Sequence, residues 1–255
     1  WRVIVGDSPG GLFTAAYVGH IYKVTGMEAI EEAGGELNRN FGQKSAVYPE
    51  GRVLKSLTYT AWLDECDALI DFCKLKTHGM MGMSAAAKNM FGVIPGTTKP
   101  EYHFRFPNHT DFSRMIVDLD TRFAPCLCLC DAVEGMEGNG PTQGTPRHIG
   151  ALLASHSPHK MDLVCAAMIG DVPTLGAARE RDLIPDSADA LCLNTPLAPF
   201  LIADYQNVAC QSMLFDRKSK LFGKIAKAAL SSRPALHKST CVGCGLCARI
   251  CPANA

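Results

Sequence analysis

The sequence predicts an α/β fold, a mostly parallel sheet flanked by helices, with a small cysteine-rich module appended at its C-terminal end. Three observations carry that prediction. Short apolar runs of strand length alternate with amphipathic stretches of helix length, the pattern of parallel strands joined by crossover helices. The composition, 255 residues of which 47% are hydrophobic, with 23 Gly and 15 Pro, suits one large globular domain rich in turns. The chain then ends in Cys241-Val-Gly-Cys244-Gly-Leu-Cys247-Ala-Arg-Ile-Cys251-Pro252 and three further residues, with four cysteines spaced C-x2-C-x2-C-x3-C-P. No internal repeat or low-complexity tract interrupts this plan. The expected divisions are an α/β domain over 1–211, a basic linker helix over 212–238 and the cysteine module over 239–255.

Residues 3–6 read as a buried strand, and Asp7-Ser8-Pro9-Gly10-Gly11 turns it into a helix over 12–24, with Ser8 as N-cap and Pro9 as first helical residue. A strand, glycine turn and helix can offer backbone N–H groups to an anion. The turn lacks both the G-x-G-x-x-G fingerprint and the Lys-Ser/Thr of a P-loop, so an ordinary connection is the alternative. A short helix over 27–33 stops at Gly34-Gly35, and strands over 45–48 and 52–57 flank a Pro-Glu-Gly turn.

The apolar strand that begins at Ala68 runs into Lys74-Leu-Lys76-Thr-His78, where alternation puts Lys74, Lys76 and His78 on one face. A short helix over 84–92 then carries Lys88 and Asn89. Ligands of α/β sheets gather beyond the carboxyl ends of strands. Asp7 lies at one such end and the Lys74, Lys76, His78 face at another. Each lysine alone reads as a solvated charge; with Lys88 and Asn89 they form a candidate anion pocket.

Residues 108–122 form an amphipathic helix with Phe112, Met115, Ile116 and Leu119 on one side. Cys126, Cys128 and Cys130 alternate along a strand as small buried hydrophobes, with metal or redox work as the alternative. Residues 131–148 hold Glu134, Asn139, Arg147 and His148 among glycines and prolines, and read as a long functional loop. Cation ligation and acid/base work by Glu134 both stay open there. A strand over 151–155, a helix over 160–169 with Asp162 in its first turn, a helix over 174–182 and a strand over 190–193 complete the domain.

The terminal cysteine spacing is that of bacterial ferredoxins. Three thiolates must reach three corners of one [4Fe-4S] cube, so the residues between them turn tightly, and Gly243 and Gly245 permit the positive φ such turns need. Four cysteines also bind zinc, but usually as two well-separated C-x2-C knuckles. Cys241, Cys244, Cys247 and Cys251 are therefore the expected ligands. In two-cluster ferredoxins the fourth cysteine of such a run serves the other cluster, so the module reads as a ferredoxin-like iron-sulfur unit that is incomplete in this chain.

Lys+Arg 25 balances Asp+Glu 25, which gives no global field for nucleic acid or an anionic membrane. No run of eighteen apolar residues occurs and membrane insertion is not expected. The cysteines outside the terminal run lack a disulfide-scaffold pattern, so a reducing cytoplasm is the expected setting.

The segments Val5-Gly-Asp7-Ser-Pro-Gly10, Lys74-Leu-Lys76-Thr-His78, Ala87-Lys88-Asn89-Met-Phe-Gly92 and Asp131-Ala-Val-Glu134-Gly-Met-Glu-Gly-Asn139-Gly140-Pro141, followed by the ferredoxin run, together resemble the domain of unknown function 362 family. The resemblance implies a cytoplasmic, ferredoxin-linked iron-sulfur protein, a further N-terminal stretch and a second cysteine run. It names no reaction. The functional expectation is a redox protein whose [4Fe-4S] cluster exchanges electrons with a small anionic molecule and with a redox partner protein. His78, Glu134 and Lys76 are the candidate catalytic residues, and Asp7, Gly10, Lys74, Lys88, Asn89 and Asn139 the candidate cofactor-binding ones. A lyase or isomerase with a structural or Lewis-acid cluster, and a pure electron carrier or assembly factor, are the alternatives.

Overall fold

The computed structural model describes residues 1–210 and 241–243. The expected linker helix and Cys244, Cys247 and Cys251 lie outside the described residues. A short strand β1 (Ile4–Val5) leads through the Asp7–Gly11 turn into α1 (Ala15–Val24) and α2 (Ala29–Glu32), and β2 (Glu36–Leu37) pairs parallel to β1. Thr14, not Ser8, caps α1, its hydroxyl accepting the Tyr17 N–H. A hairpin of β3 (Gln43–Val47) and β4 (Ser56–Thr60) follows.

The main sheet is built from β5 (Ile70–His78) and β6 (Gly82–Ser84), and further on β7 (Leu127–Asn139) and β8 (Gln143–Ser155), in the order β6-β5-β7-β8. Between its halves run α3 (Ala86–Asn89), α4 (Lys99–Arg105) and α5 (His109–Phe123), and after it α6 (Pro158–Ile169) and α7 (Pro173–Arg179). The α/β class holds, but the pairing is mixed rather than mostly parallel: β5 and β7 run parallel, whereas β5–β6 and β7–β8 are antiparallel. Each antiparallel partner is reached by a short turn, which forbids the crossover a parallel neighbour requires.

The stretch expected to be a loop over 131–148 is instead the long β7–β8 hairpin. Three of its glycines, Gly135, Gly140 and Gly144, mark close approaches of backbone rather than turns. A Cβ on Gly135 would lie 2.8 Å from Ile149 Cδ1 and 3.0 Å from the Leu75 carbonyl oxygen, and one on Gly144 would overlap the Glu137 carbonyl oxygen. The final strand expected over 190–193 is also absent; a single 3-10 turn, Ala188–Ala190, occupies its start.

Three apolar cores form among the described residues. One joins β5, β7 and α6 through Leu75, Cys128, Cys130, Met161 and Cys165. A second joins α5 to the β3–β4 hairpin and α3 through Phe112, Met115, Ile116, Leu119 and Leu57, the four helix residues expected to share a face. The third packs α1 against β2 and Trp62. Asp118 links separate segments: its buried carboxylate accepts the N–H groups of Arg52, Val53 and Leu54 at 2.8, 2.8 and 2.7 Å and lies 2.8 Å from Arg181 Nη1.

A basic cluster around Phe91

Alternation along β5 buries Asp71, Cys73, Leu75 and Thr77 and turns Lys74, Lys76 and His78 to the other face, as expected. The three do not share a fate. Lys74, the most exposed, is neutralised by Asp131 on the neighbouring strand at 2.7 Å, and that lysine holds the Asp131 carboxyl below its ordinary range. Lys76 and His78, further along and half-buried, face Lys88 instead.

Lys88 projects from α3 onto two aromatic rings, its Nζ 4.5 Å from the centre of Phe91 and 5.6 Å from that of Phe112. Lys99, at the start of α4, brings a second ammonium to within 5.4 Å of the Phe91 centre. His103, one turn further along α4, stacks on Phe112 at 4.7 Å with the planes 7° apart. Cation–ring contacts of this kind are worth about 0.5–2 kcal/mol each, too little to offset several like charges in one place.

The charges register one another. Burial first, then Lys99 and Lys76, push Lys88 down to about 7. Burial, then Lys88, His103 and Lys76, push His78 to about 3, and burial with Lys88 and Lys99 takes His103 to about 4. Both imidazoles are therefore neutral near pH 7. His78 Nδ1 accepts the Met80 and Met81 N–H groups at 3.2 and 3.3 Å, which leaves its ring proton on Nε2. Among the described residues, the charges that act on Lys88, His78 and His103 include no carboxylate.

The Asp7–Gly11 turn borders this cluster. Burial lowers the titration point of Lys99 and Asp7 opposes that shift; the lysine Nζ donates to the Ser8 carbonyl, while the Gly96 N–H donates to Ser8 Oγ at 2.7 Å. A Cβ on Gly96 would overlap the Pro9 carbonyl oxygen, so glycine is needed there for the two loops to meet.

Of the expected residues, the fold thus gathers Lys76, His78, Lys88 and the Asp7–Gly10 turn, and leaves out Lys74, Asn89, Glu134 and Asn139. Asn89 bonds Asp71 at 2.6 Å and the Phe72 carbonyl at 3.2 Å. The carboxyl group of Asp162 accepts the Ala87 N–H at 3.3 Å, so α3 is anchored from β5 and α6 together. Asp162 is buried against that helix rather than serving its own helix's first turn. Glu134 is exposed on β7 opposite His148, and Asn139 bonds Gln143 at the hairpin tip. Lys99 and His103 escaped the sequence reading. Their i, i+4 spacing on a helix was the available signal.

A second buried group lies beneath the sheet. Asp71 and Asp162 approach Cys73 and Cys130, Asp120 approaches those two carboxyls and Cys128, and burial pushes the Asp71 carboxyl up to about 7 and the other two well above their ordinary range. Among the described residues no group of three or more His, Cys, Asp or Glu is arranged to hold a metal ion.

Residues 2–167 match the family described as domain of unknown function (DUF362). The chain belongs to that family. Residues 234–255 match the 4Fe-4S binding domain, so the protein carries an iron-sulfur binding segment. Over 130 residues the chain is 32% identical to a thylakoid-associated protein of Synechocystis sp., a match that covers 49% of this chain and 40% of that protein. The chain thus spans less than half the length of that relative. No solved structure matches the chain. No helix among the described residues is long and apolar enough to cross a membrane.

The terminal donor set fits an iron-sulfur cluster. Cys241 is exposed, hence free to reach a cofactor, and Gly243 has φ +69°, the left-handed turn expected between the first two ligands. Cys241, Cys244, Cys247 and Cys251 would hold the group, which supplies single electrons when bound.

Proposed function

We propose that this family member is an iron-sulfur redox protein whose α/β part seats a small anionic substrate or cofactor at the cluster around Phe91. One observation carries the reading: Lys88 and Lys99 lie over one pair of aromatic rings with His103, Lys76 and His78 act on Lys88 or are acted on by it, and no carboxylate among the described residues balances Lys88. Such a surplus of cations in a half-buried place attracts a carboxylate or phosphate.

In this reading the lysines neutralise the anion. His78 orients it through its Nε2–H as a hydrogen-bond donor, because its other nitrogen is already occupied by backbone N–H groups. Glu134, exposed on β7, has no part in the seat. A redox partner protein completes the path of electrons, and the free thiols of Cys66, Cys73, Cys126, Cys128, Cys130, Cys165, Cys192 and Cys210 support a reducing compartment such as the cytoplasm.

Anaerobic reconstitution with iron and sulfide followed by titration with dithionite tests the electron-transfer part. Reversible bleaching of the visible absorbance with a paramagnetic reduced state is expected. A protein that stays redox-silent across the ferredoxin range would refute that part.

A further inference from the structure

Lys88 differs from the lysines around it in what its ammonium group touches. Lys74 has Asp131, and Lys99 has the Ser8 carbonyl and the field of Asp7. Lys88 has two ring faces, and no carbonyl or carboxylate oxygen among the described residues accepts its protons. Burial against Phe91 and Phe112 and the nearness of two other cations both disfavour its charge and lower its titration point to about 7. This combination of apolar walls and a neighbouring cation turns a lysine into a nucleophile toward carbonyl carbon.

The surroundings complete the requirement. Lys99, fixed by Ser8, retains a cation beside the amine for the carboxylate of a substrate. His78 presents Nε2–H, and His103, held flat on Phe112, has an Nδ1 that is buried and without a partner. Two hydrogen-bonding imidazoles therefore stand beside the amine.

We propose that Lys88 condenses with the carbonyl group of a small 2-oxo acid bound in the basic cluster, forming an imine. The inference rests on the anion-seat reading and deepens it by naming the substrate class. A C–N bond forms between Lys88 Nζ and the carbonyl carbon, and the C–O bond then breaks. The nitrogen gives up two hydrogens, the carbonyl oxygen leaves with two as water, and the imidazoles or solvent carry the protons between them. No net oxidation occurs in this step. When the imine nitrogen then takes up a proton from solvent, the resulting iminium is an electron sink at the adjacent carbon.

The test uses the anaerobically reconstituted full chain with glyoxylate or pyruvate, reduced in place with cyanoborohydride and read by peptide mass spectrometry. A single adduct on the peptide that carries Lys88 is expected, with the mass of the oxo acid less one oxygen. Its formation should speed up several-fold between pH 6 and 8, and Lys88→Arg, which keeps a cation but cannot condense, should abolish it. Oxalate, which has no reactive carbonyl, is titrated in parallel against the unaltered protein. Oxalate binding without labelling of Lys88, or labels spread evenly over surface lysines, would overturn the imine and leave the anion seat standing. Absence of both oxalate binding and labelling would overturn the two together.

Discussion

Serine at Cys241, Cys244 or Cys247 is expected to strip the protein of its cluster. A serine hydroxyl keeps the shape of the side chain but replaces a soft thiolate by a poorly matched oxygen donor. Loss even of groups that only orient a ligand costs about 10- to 100-fold in metal affinity, so loss of a ligand itself should lower iron content on the order of tenfold or more. Iron and sulfide analysis with visible spectroscopy after anaerobic reconstitution measures it. The α/β part should keep its far-ultraviolet circular dichroism, because the three apolar cores are built from residues before position 206. Unchanged iron in all three variants would contradict the ligand assignment. Serine at Cys251 asks a separate question: retention of iron there matches a fourth cysteine that serves another cluster, and loss matches a single closed site.

Asp118→Ala is expected to be the most damaging single change in the described fold. The carboxylate is wholly buried and gathers three backbone N–H groups from the loop between β3 and β4, together with the Arg181 guanidinium beyond α7. Its removal leaves three donors and a nearly buried cation without their acceptor. Breaking a buried pair in this way costs about 3–5 kcal/mol, a large part of the stability of an ordinary domain. Urea denaturation followed by circular dichroism should show the midpoint falling sharply or the variant failing to accumulate. A loss below about 1 kcal/mol, the scale of an exposed ion pair, would contradict this role.

Much of the architecture could be read from the chain. Helix α5 was legible because its apolar residues recur with helical period and Asn108 caps it, the Asn108 Oδ1 accepting the Asp111 N–H at 2.8 Å. Strand β5 was legible because period-two alternation separates Leu75 and Thr77 from Lys76 and His78. The β7–β8 hairpin was not, because Gly135, Gly140 and Gly144 carry the same letters as turn glycines while their cause, close backbone contact with Leu75, Thr77 and Glu137, lies elsewhere in the chain. Pairing direction in the sheet was hidden for a related reason: alternation of strands and helices does not tell whether β6 and β8 return by short turns.

The candidate site was half legible. Local pattern placed Lys76, His78 and Lys88 near one another, but only tertiary contact could separate Lys74, paired with Asp131, from its neighbours. Asn89 adjoins Lys88 in sequence and points to a different task, tethering α3 to Asp71. Lys99 and His103 come from a helix whose relation to β5 is set by Phe91 and Phe112.

The most direct test of the anion seat is calorimetric titration of inorganic phosphate and of oxalate into the reconstituted protein, repeated with Lys76→Met and across pH. The charged form of Lys88 binds the anion, and its titration point in the free protein is about 7. As pH rises above that point the free protein loses this proton, so affinity should fall by up to about tenfold per pH unit until the bound form titrates as well. His78 and His103, with titration points of about 3 and about 4, stay neutral over this range and add no charge. Saturable binding of one anion, weakened several-fold or more by Lys76→Met and weakened further between pH 7 and 9, is the predicted result. Absence of binding, or an affinity indifferent both to Lys76→Met and to pH, would contradict the account.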